Sequence, residues 1–436
     1  MDQRSKEMLL SVDFSLDRVD VELSTKDGVI WPHQAYPNNL SGYGQLQADL
    51  LAELARTGST NLTAVGESTG PYWYHLFYQL SHDATLAAYE PQVQVLNPLH
   101  VKRFRQALPE QDKADDLDPG LIAKYYRAVG QQPAYQFNER YQALRFLSRA
   151  YFRVIHTLAA EKAYCLSVLY LSASDYQRVK PFSDLFGVTS QQVLLDYPDV
   201  QAIAELDLEI LAAQLQVTAK GFLPNPDHNA HKLHQVATDS YPLPDHLQAV
   251  IYPILTATLD HIRFLTDQKH YYKQLIEQQL AHLPEAQDLL DLKGLGPILV
   301  AGFLAEIQDT LRFTTGDKYD RKQKKFRPRT YRDGHKSVAK LAGLWWPQND
   351  SGRATDQRKG LARERNPYLR YWFVQAAHTL QRYQPDYAAY YQLKYHQAAH
   401  HHHKRALVLT ARKAVRLIFA LLHKAQRDLP MEASTS

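Results

Sequence analysis

The sequence predicts an N-terminal α/β domain on a mixed sheet, followed by a mostly α-helical remainder. Three observations carry that prediction. Up to Leu108, strand-like runs and helical patterns follow one another in the order βββ-α-β-α-β-α. Residues 138 to 175 then hold one long helical pattern. Leu247 to Leu283 keeps an apolar seam through Leu247, Ile251, Ile254, Leu255, Leu259, Ile262 and Leu265, extended by Leu275, Ile276 and Leu280. A chain of 436 residues has room for two or three domains. The divisions fall at 1–135, 136–245, 246–284 and 285–428, with 429–436 expected to be a disordered tail.

The first domain reads in order as follows. Glu7 to Asp13 is a strand ending on a carboxylate, and Arg18 to Leu23 alternates as a second strand with Val19, Val21 and Leu23 on one side. Lys26-Asp27-Gly28 signals a turn, and Val29-Ile30-Trp31 opens a third strand. Gln45 to Ala55 is an amphipathic helix with Leu46, Leu50, Leu51 and Leu54 on one stripe. Asn61 to Gly66 is a short strand with Glu67 at its end; Pro71 to Leu80 is a helix; Val93 to Leu96 is a buried strand stopped by Asn97-Pro98. A helical segment from His100 to Leu108 carries Lys102, Arg103 and Arg105, and Asp115, Asp116 and Asp118 follow.

Ligands gather beyond the carboxyl ends of strands in open sheets. Asp13 and Glu67 stand at such ends. Asp115 and Asp118, at i and i+3, would share one face of a helix begun at Asp115. Converging carboxylates repel unless a cation lies between them, and hard divalent cations such as Mg²⁺ suit oxygen ligands. The plainer readings are an acid-rich first helical turn for the aspartates, a cap neighbour for Glu67 and a turn residue for Asp13.

Composition narrows the function classes. A net charge of +4 does not announce a nucleic-acid binder, so local clusters must do so. Cys165 is the single cysteine, which excludes an intramolecular disulfide and a cysteine-based zinc site and fits a reducing cytosol. The N-terminus is apolar for too few residues to be a signal peptide, and no apolar run approaches a membrane span. A cytoplasmic location is expected.

In the helical remainder, Arg145, Arg149 and Arg153 recur at i, i+4 and i+8, which favours a solvated face over a phosphate groove. Residues 182 to 245 are short helical pieces broken by Gly187, Pro198, Gly221, Pro224, Pro242 and Pro244. The seam from Leu247 would be roughly 55 Å long at about 1.5 Å per residue. It needs a partner, and a self-association arm is favoured over packing within the chain. Leu292-Lys293-Gly294-Leu295-Gly296-Pro297 is a tight bend that could let backbone N–H groups approach a phosphate, or a plain helical turn. Lys318 to Lys340 is the most basic stretch, with Tyr319, Phe326 and Tyr331 interleaved, a pattern suited to a nucleic-acid backbone with stacked bases. Trp345-Trp346-Pro347 precedes Asp350-Ser351-Gly352, with Arg353, Arg358, Arg365 and Arg370 close after. Leu369 to Tyr391 is helical and aromatic. His400 to His403 reads as a polar turn before a basic amphipathic helix, Arg405 to His423.

Residues 9 to 23 (LLSVDFSLDRVDVEL), ESTGPYW at 67 to 73, and NPLHVKRFRQA with DKADDLDPG after it resemble the RuvC-like DEDD domain of the insertion-sequence one-ten family of transposases. The resemblance puts the four metal-binding acids on Asp13, Glu67, Asp115 and Asp118, with Asp116 at no catalytic position and Ala114 where the family often has Thr. The stretch from Ala342-Gly343-Leu344 to Ser351-Gly352 resembles the family's "AGL-P…SG" segment, whose serine is the nucleophile; Asp350 stands where Gln was expected. Glu364-Arg365-Asn366-Pro367 partly matches an "RGN" turn.

The resemblance implies a RuvC-like, RNase H-like α/β domain, a helical coiled-coil arm and a mostly α-helical C-terminal serine transposase domain. It implies a DNA recombinase that uses Mg²⁺ (or Mn²⁺), acts on donor and target DNA, and is guided by an element-encoded RNA. It also implies homodimers joining into a tetramer, with the acids of one subunit and the serine of another forming the active site. Lys102, Arg103, Arg105, Lys322, Lys324, Lys325, Arg327, Arg329, Arg353, Arg365 and Arg370 are the expected nucleic-acid contacts. The alternatives are a hydrolytic RuvC-like nuclease, in which Ser351 is structural, and a nucleic-acid-binding scaffold with a dead site.

Overall fold

The computed structural model describes residues 7–107, 119–130, 134–320, 323–346, 361 and 365–428. The chain divides into two compact units, Met1–Asn138 and Glu139–Ser436. Among the described residues no helix is long and apolar enough to cross a membrane.

The first unit is a sheet with helices on both faces. Its strands are β1 (Glu7–Phe14), β2 (Arg18–Thr25), β3 (Gly28–Pro37), β4 (Asn61–Glu67) and β5 (Gln92–Leu96), in the order β3-β2-β1-β4-β5. The first three are antiparallel, while β4 runs parallel to β1 and β5 parallel to β4. The helices are α1 (Leu40–Thr57), α2 (Tyr74–His82), α3 (Pro98–Ala107) and α4 (Pro119–Val129). Because strand side chains alternate, Met8, Leu10, Val12 and Phe14 pack in one core with Leu46, Leu50 and Leu54 of α1 and Phe77 of α2. Leu9 and Val65 face the other way, into a core with Val101 of α3 and Leu121 and Ile122 of α4. Cover on both faces explains why β1 and β4 are buried along nearly their whole length.

Local chemistry sets the helix ends. α1 starts earlier than its apolar stripe suggests, because the Asn39 side chain accepts from the Gly42 N–H and caps it; Gly58 ends it at φ 62°. Gly66 has a packing reason. A Cβ there would lie 2.5 Å from Phe14 Cε2 and 2.7 Å from the Val12 oxygen. Its absence lets Phe14 and Phe77 meet edge to face, 4.9 Å between ring centres, beside the end of β4.

The second unit is mostly helical. Its elements are α5 (Glu139–Ser172), α6 (Tyr176–Val179), α7 (Val188–Asp196), α8 (Leu208–Thr218), α9 (Pro226–Asp239), α10 (Asp245–Leu280), α11 (Gln287–Leu290), α12 (Pro297–Ile307), α13 (Leu311–Thr314), β6 (Asp317–Asp320), β7 (Lys325–Pro328), α14 (Tyr331–Leu341), α15 (Pro367–Tyr383), α16 (Pro385–His396) and α17 (His402–Asp428).

The seam of α10 meets a helix of its own chain. Leu255, Leu259, Ile262 and Leu265 are buried in one core with Val154, Leu158, Cys165, Val168 and Leu169 of α5. The favoured reading of this seam as a self-association arm is therefore corrected, since α5 supplies its partner. Pro253 lies inside α10 without ending it. The bend at Leu292–Pro297 is a helix junction docked on α15. A Cβ on Gly294, which stands at φ +105°, would lie 3.4 Å from Leu380 Cα, and the Gln384 side chain donates to the Lys293 carbonyl at 2.9 Å.

Candidate active site and nucleic-acid interface

Strand pairing brings two of the expected acids together. Val12 lies opposite Gly66 on parallel β1 and β4, so the next residues, Asp13 and Glu67, stand side by side where the strands end. By the pleat both share the face of Leu9 and Val65, the one covered by α3 and α4. The antiparallel pairing of β1 with β2 adds a third acid, Asp20, directly opposite Asp13. Asp20 is charge-balanced: Arg18 Nε lies 3.0 Å and His33 Nε2 2.8 Å from its carboxylate. Sequence reasoning missed Asp20 and His33. The alternation of Arg18 to Leu23 was the available signal, since it puts Asp20 on the pleat face opposite Val19.

Glu67 is only 4% exposed. Burial, then the negative charge of Asp13, push its carboxyl up to about 7, against the opposing pull of Arg105 on α3. Two carboxylates side by side, Glu67 buried and Asp13 half-buried, match the oxygen-ligand preference of a hard divalent cation, which would relieve their repulsion. Among the described residues, no group of three or more His, Cys, Asp or Glu side chains is placed to hold a metal. Asp115, Asp116 and Asp118 lie outside the described residues. Directly after Asp118, α4 starts at the buried Pro119 and packs on the face that carries Asp13 and Glu67. Lys102 and Arg103 are exposed on α3.

Ser351 and its neighbours Asp350, Arg353 and Arg358 also lie outside the described residues, but both flanks of their segment are described. The Asn366 N–H donates to the Leu341 carbonyl at 2.8 Å, so the chain that leaves α14 returns to its end before α15 begins. Asn366 caps α15 by accepting from the Leu369 N–H at 3.0 Å, and its Nδ2 donates to Glu306 Oε2 at 2.6 Å. Glu306 is buried on α12 and also accepts from Arg149 Nε at 2.7 Å and Nη2 at 3.0 Å, with Arg145 Nε 3.9 Å away. The Arg149 guanidinium lies 4.4 Å from the centre of the Tyr368 ring. Arg145 and Arg149 are thus not a solvated face; they neutralise a buried carboxylate, while Arg153 is exposed. Their spacing showed a shared face and could not show what the face meets.

Burial alone would raise the Glu306 carboxyl, but the hydrogen bond from Arg149, the charges of Arg145 and Arg149 and the Asn366 amide outweigh it and hold it below the ordinary value. A lowered carboxyl stabilises the fold above its unfolded value and loses that contribution as pH falls through the folded one. Glu306→Ala is expected to cost about 3–5 kcal/mol at neutral pH, because it removes the buried carboxylate that Arg149 and Asn366 hydrogen-bond and whose charge Arg145 and Arg149 balance. The gap from wild type should narrow as pH drops below the ordinary carboxylate range, which denaturant titrations at a series of pH values measure. An equal gap at every pH would assign Glu306 to packing alone.

Two arginines beyond this cluster remain available. Among the described residues neither Arg365 nor Arg370 forms an ion pair, and burial together with the charge of Arg365 lowers the Arg370 guanidinium from its ordinary value. Like charges held together favour an anion between them. The preceding tryptophans are each met by a cation, Lys340 at 5.4 Å from the Trp345 ring and Arg412 at 5.4 Å from the Trp346 ring.

A family model described as a transposase, the DEDD type of IS110, matches residues 10–172. A second, described as the transposase IS116/IS110/IS902 family, matches residues 328–392. The chain is an IS110-family transposase. No curated protein matches it. The transposase is therefore an insertion-sequence enzyme whose substrate is DNA, and its DEDD domain carries a dependence on a divalent metal. The first match holds Asp13 and Glu67, and the second holds Asn366, Arg365 and Arg370.

The basic stretch of the transposase is a hairpin followed by a helix. β6 and β7 pair antiparallel, and their cations divide into two groups. Arg327 Nη1 lies 2.7 Å and Lys318 Nζ 2.9 Å from Asp333, which closes the capping box of α14 with Thr330. These contacts, the Arg327 bond foremost, hold the Asp333 carboxyl far below its ordinary value. Lys324 and Lys325 are exposed and, among the described residues, make no ion pair; Lys322 lies outside them. Arg329 reaches Ser337 Oγ at 3.5 Å. In the histidine run, His403 Nδ1 lies 2.6 Å from the Tyr391 hydroxyl and His402 Nδ1 2.9 Å from the Tyr395 carbonyl, so both tie the start of α17 to α16.

Proposed function

We propose that the transposase cuts and rejoins DNA through a covalent intermediate on Ser351, assisted by Mg²⁺ (or Mn²⁺) held by Asp13, Glu67, Asp115 and Asp118. The observation that carries this reading is the meeting of Asp13 and Glu67 at adjacent parallel strand ends, with Glu67 buried and pushed up to about 7. The strand order β3-β2-β1-β4-β5, antiparallel and then parallel, supports an RNase H-like (RuvC-like) domain around them.

When bound, the ion would supply Lewis-acid charge stabilisation at a phosphoryl oxygen and a template for the phosphate. The chain's own groups do the rest. Ser351 Oγ attacks phosphorus as its proton leaves, the bond to one sugar oxygen breaks, and that oxygen departs as a hydroxyl. The phosphoserine conserves the ester for rejoining to a new strand. Arg365 and Arg370, with Arg353, neutralise phosphate oxygens. Lys102, Arg103, Arg105, Lys322, Lys324, Lys325 and Arg329 contact nucleic-acid backbones. The family resemblance supports an element-encoded guide RNA that selects donor and target DNA, and homodimers that join into a tetramer.

Two experiments test the nucleic-acid part. Replacing Lys322, Lys324 and Lys325 by Gln should weaken binding evenly across sequences and flatten the salt dependence by up to about 0.9 log unit per lost duplex phosphate contact. Binding titrations over a salt series measure it, and an unchanged slope would leave the stretch to solvent. Transposase coexpressed with the DNA flanking its gene should retain a discrete RNA, and RNase should remove both that RNA and recombination. Full recombination without RNA would contradict guidance.

A further inference from the structure

We propose that the β6–β7 hairpin captures an unpaired stretch of nucleic acid by stacking bases on Tyr319 and Phe326. The inference deepens the nucleic-acid reading of this segment and rests on it. The pairing Lys318↔Arg327, Tyr319↔Phe326 and Asp320↔Lys325 sorts the hairpin into two faces. Lys318, Asp320, Lys325 and Arg327 share one, and Tyr319 and Phe326 share the other.

Arg327 and Lys318 on the charged face are held by ion pairs, while Lys325 near the tip of the hairpin is exposed. Arg327 bridges Asp333 and Asp320, and Lys318 joins it on Asp333. At the open end of the hairpin the Arg329 N–H donates to the Gly316 carbonyl at 2.9 Å. These bonds fix the hairpin on the start of α14, so Arg327 and Lys318 act as braces and are not free to follow a ligand. The bracing leaves the two rings on the outer face. Phe326 is 70% exposed and Tyr319 48%, with ring centres 5.3 Å apart at an interplanar angle of 66°.

A cross-strand aromatic pair stabilises a hairpin, which accounts for the rings meeting each other. It does not account for the open faces they keep. The exposed rings offer a π-surface, and Lys324 and Lys325, exposed just before Phe326 at the tip of the hairpin, offer phosphate neutralisation within reach of the same strand, the two components of single-strand binding. Complementary charge favours a polyanion over a protein partner for this surface. A ring can lie flat on a base only where that base has left its helix, so the occupant is an unpaired strand and not a duplex.

The test uses full-length transposase and fluorescently labelled oligonucleotides of mixed sequence, as single-stranded DNA, single-stranded RNA and duplex DNA. Phe326→Ala and Tyr319→Ala should each weaken single-strand binding by about tenfold, since stacking contributes on that scale per base. The salt slope should stay unchanged, because no phosphate contact is lost. Duplex binding should not move. Phe326→Trp should retain affinity, whereas Phe326→Leu, apolar but without a π-face, should not. The single-stranded probe that loses affinity identifies the source as DNA or RNA. Thermal melting of each variant separates lost stacking from lost folding.

Single-strand binding equal to wild type in both alanine variants would overturn the inference. If Lys324→Gln with Lys325→Gln still lowers the salt slope in that case, the phosphate reading survives without the stacking. Changed self-association in the alanine variants with unchanged oligonucleotide binding would assign the rings to a protein contact and would also overturn it.

Discussion

Glu67→Gln should abolish strand cleavage while leaving the fold of the first unit in place. Glutamine keeps the shape of a side chain that is almost wholly buried and removes only its charge. Metal assistance contributes several kcal/mol of transition-state stabilisation, and about 1.36 kcal/mol is a factor of ten, so a loss of about a thousandfold or more is expected. Two controls separate a lost ligand from a damaged fold. Without metal, the variant should melt at or above wild type, because the repulsion between Glu67 and Asp13 is gone. With Mg²⁺ or Mn²⁺ added, wild type should gain melting temperature and the variant should not. Asp13→Asn should behave alike in cleavage. Asp115→Asn should be inactive and Asp116→Asn active; the reverse would mean that the neighbouring aspartate is the ligand.

Ser351→Ala should keep nucleic-acid and metal binding and stop strand exchange, since only the attacking oxygen is lost. Removing a nucleophile of this kind costs on the order of a millionfold where no other group can substitute. Denaturing gels should show a protein–DNA adduct in wild type and none in the variant. Continued cutting by Ser351→Ala, with no adduct in either protein, would assign attack to water and make the enzyme a hydrolytic nuclease. The flanks give the experiment a structural control. Asn366 holds the end of α14 and the start of α15 together and is itself held by Glu306. Asn366→Ala should therefore lower exchange and shift melting together, whereas Ser351→Ala should leave melting unchanged.

Strand-end carboxylates were legible in the sequence because a strand's side chains alternate and its ends are marked by turn residues. Asp13 and Glu67 needed no more than that to be placed at strand ends; that the two ends adjoin was decided by the parallel pairing of β1 with β4. Asp20 was not legible, because its place opposite Asp13 depends on the register of β1 with β2, which long-range pairing sets. The same limit hid the Glu306 cluster. Glu306 lies in an apolar helix 157 residues after Arg149, and nothing local in either segment names the other. The interleaved charges and rings of the basic stretch were legible as composition. Their division into inward braces and outward rings was not, because it follows from the hairpin register and from the place of Asp333.

The sequence by itself determined the alternation of strands and helices in the first unit, the length of α5 and α10, and the residue types available for phosphate and metal chemistry. These follow from short-range periodicity, since 3.6- and 2-residue repeats decide which side chains share a face. Tertiary structure decided what each face meets. The seam of α10 is as apolar as a self-association arm requires, yet α5 covers it, because a helix of the same chain is present at far higher effective concentration than a second copy. The arginine row of α5 likewise gains its role from a buried carboxylate that only folding brings within 2.7 Å.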